Sequence, residues 1–167
     1  MDHDTFRREV ESRLGTVGAA MTANVLTFES DLRASDAAMQ LAAAGVAGAP
    51  VLEGGRVVGV VSLRDLLGRE GHTASQTSGP FLRGERHLAN LTVADVMSKE
   101  AVTAERDWPL TRAIEVMDAA RVNRLPVVDK QERPVGILAR DDVLRAIANA
   151  LREPPATHPG APRIEPD

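Results

Sequence analysis

The sequence has no cysteine and no tyrosine, and its aromatic residues are Phe6, Phe28, Phe81 and Trp108, 2% of 167 residues. The missing cysteines exclude disulfides, thiolate nucleophiles and zinc ribbons. So few rings argue against stacking platforms for single-stranded nucleic acid. A net charge of −4 removes a general attraction to DNA, so no nucleic-acid partner is expected. No run approaches about 18 continuous apolar residues, which excludes a transmembrane helix and leaves no expected membrane partner. The opening Met1-Asp2-His3-Asp4 is acidic and lacks the apolar stretch of a signal peptide, so the expected compartment is the cytoplasm.

Catalytic constellations are also missing. His3, His72, His87 and His158 are scattered without metal-ligand spacing, and no metal site is expected. There is no Gly-x-Ser-x-Gly elbow, no Gly-x-x-x-x-Gly-Lys loop and no Gly-x-Gly-x-x-Gly fingerprint. Asp141 and Asp142 are adjacent, so on a helix they face different ways and do not form an acid/base pair. No catalytic residue, no catalytic cofactor and no enzymatic activity are expected.

What is present is an alanine-rich chain, 43% hydrophobic and 26% charged, with 25 alanines. A core of Ala, Val and Leu must bring backbones close together. Basic residues are 18 Arg against Lys99 and Lys130. Genomic base composition accounts for that bias, and the planar guanidinium also suits phosphate.

The chain repeats itself. At an offset of 76, Met21 meets Met97, Thr27 meets Thr103, Glu29 meets Glu105 and Asp31 meets Asp107. Ala43-Ala44 then meet Ala119-Ala120, and Pro50-Val51 meet Pro126-Val127. One inserted residue raises the offset to 77, where Val58-Gly59 meet Val135-Gly136 and Asp65 meets Asp142. Two copies of one unit are the economical reading.

Each copy reads β-α-β-β-α. A strand is expected at Val25–Phe28 and at Ala101–Thr103, with Asp31 and Asp107 as helix N-caps. Ala34, Ala37, Ala38 and Leu41 follow at helical spacing, as do Leu110, Ala113, Ile114 and Met117. Pro109 suits a first helical turn, and Gly45 a left-handed helix end. Pro50–Leu52 and Val57–Val61 form a hairpin about Gly54-Gly55, with a counterpart at Pro134–Leu138. A last helix starts near Ser62 and near Arg140. The boundaries are an N-terminal helix at 1–16, repeat one at 17–68, a linker at 69–92, repeat two at 93–151 and a disordered Pro-rich tail at 152–167. The N-terminal helix, with Phe6, Val10 and Leu14 on one side, reads either as a lid on the module or as a partner-binding helix. Units this short bury little apolar surface alone, so a pseudo-two-fold α/β (α+β) pair is expected, and a homodimer of such pairs.

This pattern resembles a tandem pair of cystathionine-β-synthase (CBS) domains, a Bateman module. The resemblance rests on Asn123-Arg124-Leu125-Pro126-Val127-Val128-Asp129, on Gly59-Val60-Val61-Ser62-Leu63-Arg64-Asp65, on Gly136-Ile137-Leu138-Ala139-Arg140-Asp141-Asp142, and on Ala94-Asp95-Val96-Met97-Ser98 leading into copy two. It implies a regulatory module binding AMP, ADP, ATP or S-adenosylmethionine between the repeats. Each site would take ribose and phosphate contacts from one copy and adenine contacts from the other. The main site would combine Ser62, Arg64 and Asp65 with Ser98, Ala101, Val102, Thr103, Asn123, Arg124, Leu125 and Pro126. A weaker second site would combine Arg140 and Asp142 with Thr22, Val25, Leu26, Thr27, Gly48, Ala49 and Pro50. There Ala139 replaces the hydroxyl residue, and no polar pair matches Asn123-Arg124.

The chemistry is coherent on its own terms. A carboxylate at a helix start can accept both ribose hydroxyl protons, and helix N–H groups suit phosphate. Ser62…Asp65 also fits a capping box, which needs no ligand. Two functions therefore stand: a stand-alone nucleotide sensor signalling to an unidentified regulated protein, or a ligand-independent interaction scaffold with degraded sites.

Overall fold

A computed structural model describes residues 2–67, 90–99 and 101–152. The first half contains α1 (His3–Leu14), α2 (Val17–Ala20), β1 (Thr22–Ala23), β2 (Phe28–Glu29), α3 (Ala34–Ala44), β3 (Gly48–Glu53), β4 (Arg56–Ser62) and α4 (Leu63–Leu67). The second contains α5 (Val93–Val96), β5 (Ser98–Lys99), β6 (Ala104–Glu105), α6 (Leu110–Ala120), β7 (Arg124–Val128), β8 (Pro134–Ala139) and α7 (Arg140–Arg152). The expected linker lies mostly outside the described residues, as does the expected disordered tail apart from Arg152, which closes α7.

Two four-stranded sheets result, in the orders β2-β3-β4-β5 and β1-β8-β7-β6. β2 and β6 run parallel to β3 and β7, while the β3–β4 and β7–β8 hairpins are antiparallel. Gly54 and Gly55 hold φ of 57° and 78° in the first hairpin turn, a conformation that glycine enters without strain.

The edge strands are exchanged between halves. β5, from the second repeat, pairs with β4 through Gly59↔Lys99 and Val60↔Ser98. β1, from the first repeat, pairs with β8 through Thr22↔Ile137 and Ala23↔Gly136. The helices before these strands cross with them. Val93 of α5 is fully buried in the core of Phe28, Ala37, Leu41, Val51, Val61 and Leu66. Val17 of α2 is fully buried in the core of Leu110, Ala113, Met117, Leu125, Val127 and Leu138.

The exchange corrects two expectations. Asp31 and Asp107 do not cap the helices. Arg33 and Pro109 hold the N-cap positions of α3 and α6 without a side-chain cap hydrogen bond. The first helical N–H groups donate instead to backbone carbonyls of the exchanged segments, Ala34 N to Leu91 O at 2.8 Å and Leu110 N to Gly15 O at 3.0 Å. Each helix start is thus satisfied from the other half. The expected first strands also shift. Val25–Thr27 and Ala101–Thr103 are not strand, and the pairing begins at Phe28 and Ala104.

The repeat offset reappears in the hydrogen bonds. Val17 N donates to Trp108 O at 2.9 Å and Val93 N to Leu32 O at 2.8 Å; Gly18 N donates to Arg106 O and Ala94 N to Ser30 O, both at 2.8 Å. α1 lies on α6 and α7. There Arg13 donates to Ala150 O at 2.7 Å, and Arg7 pairs with Glu115 at 3.5 Å.

Candidate functional site

A cleft of about 720 Å³ opens where the halves meet, within the size range of small-molecule sites. One wall comes from the crossing segment of the first repeat: Thr22, Asn24, Val25 and Leu26. A second is the exit of α3 and the start of β3, Ala44 to Gly48. Gly45 makes this exit by taking a left-handed conformation (φ 65°) while its N–H donates to Ala42 O and Leu41 O. The third comes from the second repeat: Arg124, Ile137, Ala139, Asp141, Asp142 and Arg145. Val25, Leu26, Val46 and Ile137 give aliphatic surface, and the charged groups gather on the β8–α7 side.

Asp142 is the only buried charged residue among those described, 5% exposed. Its Oδ2 accepts from Ala139 N at 2.9 Å, and its Oδ1 from Arg145 at 3.1 Å and more weakly from the Thr22 hydroxyl at 3.4 Å. A buried carboxylate with three donors, one of them a guanidinium, is a satisfied one. The Thr22 bond ties the crossing strand to the first turn of α7.

The equivalent position in the first half is Asp65. Its Oδ2 accepts from Ser62 N and from the Ser62 hydroxyl, both at 2.8 Å, while Asp65 N donates back to Ser62 Oγ at 3.2 Å. This is the reciprocal capping arrangement, formed without a ligand. Its Oδ1 has no hydrogen bond among the described residues.

Of the expected second-site residues, Thr22, Val25, Leu26, Gly48 and Asp142 line the cleft, while Thr27, Ala49 and Pro50 do not, the last two being buried. Arg140 lies instead along a separate groove with Ile114, Met117 and Val122. Of the expected main-site residues, Leu125 and Pro126 are buried in β7. Ser98, Arg64 and Asn123 are exposed, with Val102 38% exposed. Ala101 and Thr103 are half-buried beside β6. Arg124 crosses over: expected in the main site, it lines the second-site cleft. Its path runs over Gly48, where an added Cβ would lie 3.4 Å from Arg124 Nε.

Asn24, Asp141 and Arg145 line the cleft without having been anticipated. Arg145 was legible, because a residue three positions after Asp142 shares its helix face. Asn24 was not, because its left-handed backbone (φ 53°) belongs to the strand exchange. Among the described residues no group of three or more His, Asp or Glu is placed to hold a metal ion. No helix among them is long and apolar enough to cross a membrane.

Comparison with known proteins places this geometry. The CBS domain family model matches residues 17–71 and 93–149. An uncharacterised protein of Methanocaldococcus jannaschii is 27% identical over 143 residues, 84% of this chain and 41% of that protein. Inosine-5′-monophosphate dehydrogenase of the same organism is 30% identical over 123 residues, 73% of this chain but 21% of the enzyme. The chain thus spans less than half the length of either relative. The crystal structure of CBSX2, a CBS-pair protein of Arabidopsis thaliana, superimposes with a TM-score of 0.72 at 28% identity, covering 83% of this chain and 98% of that one. With two family matches in one chain and a fold shared with a CBS pair, the protein belongs to the CBS domain family as a tandem pair.

Proposed function

We propose that this CBS pair is a regulatory module that binds an adenine nucleotide or related adenosine compound between its repeats and conveys occupancy to a partner protein. The observation that carries the proposal is the cleft of about 720 Å³ assembled from both repeats, aliphatic on one side and charged on the other. A nucleotide has the matching polarity, a flat base at one end and an anionic group at the other. A structure of the 28% identical CBSX2 is a complex with AMP, which supports the same ligand class here. Action in the cytoplasm and assembly as a homodimer belong to the same proposal.

One observation favours the ligand-independent scaffold. The carboxylate oxygens facing the backbone at Asp65 and Asp142 already accept internal hydrogen bonds, so both helix starts are complete as they stand. Thermal melting separates the two readings. A ligand at a hundred times its Kd adds about 2.7 kcal/mol, or roughly 5–10 °C for a chain of this size. Such a shift with millimolar AMP, ADP, ATP or S-adenosylmethionine supports the sensor, and no shift with any of them supports the scaffold. Two variants then locate the ligand. Ala47→Trp fills the cleft and is expected to abolish the shift, whereas loss of the shift in Asp65→Ala alone would move the site to the first half.

A further inference from the structure

We infer that the groove between α6 and α7 is a docking site for this chain's own segment Arg163-Ile164-Glu165, independent of nucleotide binding in the cleft. The groove measures about 330 Å³. Its floor is aliphatic, with Ile114 and Met117 from α6, Val122 just beyond it and Val143 from α7. Glu115 and Asp118, three residues apart on α6, make one rim acidic. Arg140, the first residue of α7, makes the other basic. The pattern calls for an aliphatic side chain flanked by one basic and one acidic residue. The repeat does not require these charges, because the equivalent positions in the first half are Met39, Ala42 and Leu63.

The next stretch of the same helix pair is already covered in this manner. α1 lies on α6 and α7 with Val10 and Leu14 half-buried, and its Arg7 pairs with Glu115 at 3.5 Å. Glu115 thus belongs to both surfaces, and the groove continues the seat of α1. Beyond it Asp118 and Arg140 are exposed, with no ion pair among the described residues. Leu144 and Leu151, 57% and 77% exposed, follow Arg140 at i+4 and i+11. They carry an apolar stripe from the end of α7 back to the groove.

The sequence after α7 holds the matching group. Ile164 is the only large aliphatic residue after Leu151, and Arg163 and Glu165 flank it. Pro154, Pro155, Pro159 and Pro162 precede it, which disfavours more helix and favours an extended path. From Arg152 back to Arg140 is about 18 Å along the helix. Residues 153–163 span about 34 Å when extended, enough to turn and reach the groove. One isoleucine and two exposed charge pairs make a weak contact. A free peptide would make it only at about millimolar concentration, and the tether supplies an effective concentration of about that size. Tethering therefore favours this segment over an untethered partner.

The test is oxidative cross-linking of the full chain carrying Leu144→Cys and Pro166→Cys, since no native cysteine competes. The inference expects a disulfide within one chain, formed at a rate independent of protein concentration. Ile164→Ala in the same background keeps the tether and removes the anchor, so closure should slow about fivefold to tenfold. Asp118→Arg should slow it about twofold to fivefold, and adding Arg163→Asp should restore it. Closure that is as fast with Ile164→Ala as without it would overturn the inference. A disulfide joining two chains would also overturn it, by giving the groove to a second copy. The control pairs Met39→Cys, at a position 70% exposed on α3, with Pro166→Cys. Closure no faster than in that control would overturn the inference as well and leave the groove to a partner protein.

Discussion

Single residues decide how closely the exchanged strands approach. A Cβ on Gly59 would lie 2.7 Å from Met97 Sδ and 2.7 Å from Ser98 O. A Cβ on Gly136 would meet Met21 Sδ and Thr22 O at the same distances. The methionine can swing aside, but the strand carbonyl cannot without breaking the edge pairing. Gly59→Ala and Gly136→Ala are therefore each expected to lower stability by about 1–3 kcal/mol in urea unfolding. A second residue-scale effect concerns pH. Asp95 accepts from Thr92 N at 2.8 Å and from the Thr92 hydroxyl at 3.0 Å. These bonds hold its carboxyl below the usual carboxylate range, the backbone bond contributing most. Because the native pKa is depressed, the contribution is complete above the unfolded value and is lost as pH falls through the native one. Asp95→Asn should accordingly flatten the acid limb of the stability profile by lowering stability near neutrality while changing little at low pH. An acid limb as steep as that of the native protein would contradict this.

At the scale of elements, α2–β1 and α5–β5 each complete the other half. Val17→Ala should cost about 2 kcal/mol, and its local effect should appear in the second sheet, not in the repeat that contains it. Hydrogen exchange reads this directly, with amides of 124–128 and 134–139 expected to lose protection before those of 48–62. Val93→Ala should show the mirror pattern. This exchange also marks what could be read without coordinates. The hairpins, α3 and α6 were legible because apolar spacing and the Gly54-Gly55 turn are local signals. The offsets of 76 and 77 identified Met21 with Met97 and Gly59 with Gly136, but not that each methionine packs on the other copy's glycine. Strands of two residues carry no periodicity, and a helix start capped by a distant carbonyl leaves Asp31 looking like the cap. The site was legible in the same proportion. Asp142, Gly48 and Val25 were placed together by the resemblance to CBS pairs and line one cleft, whereas the passage of Arg124 over Gly48 depends on the packing of two strands about the pseudo-axis.

For the whole molecule, the reciprocal crossing makes one cooperative unit of two similar halves. Trp108, the only tryptophan, belongs to the second half, where Arg112 stacks 3.8 Å from its ring centre. Its fluorescence and the far-UV circular dichroism of the full chain are expected to follow one coincident unfolding transition. Separate midpoints would mean that the halves are independent. The cleft exists only because the halves interlock, its walls coming from the crossing segment of one repeat and the β8–α7 corner of the other. The most direct check is therefore an amide NMR titration of the full chain with AMP. The account predicts saturable shifts concentrated at Val25, Leu26, Ala47, Gly48 and Asp142. Saturation confined to residues outside this cleft, or no shifts at millimolar AMP, would contradict it.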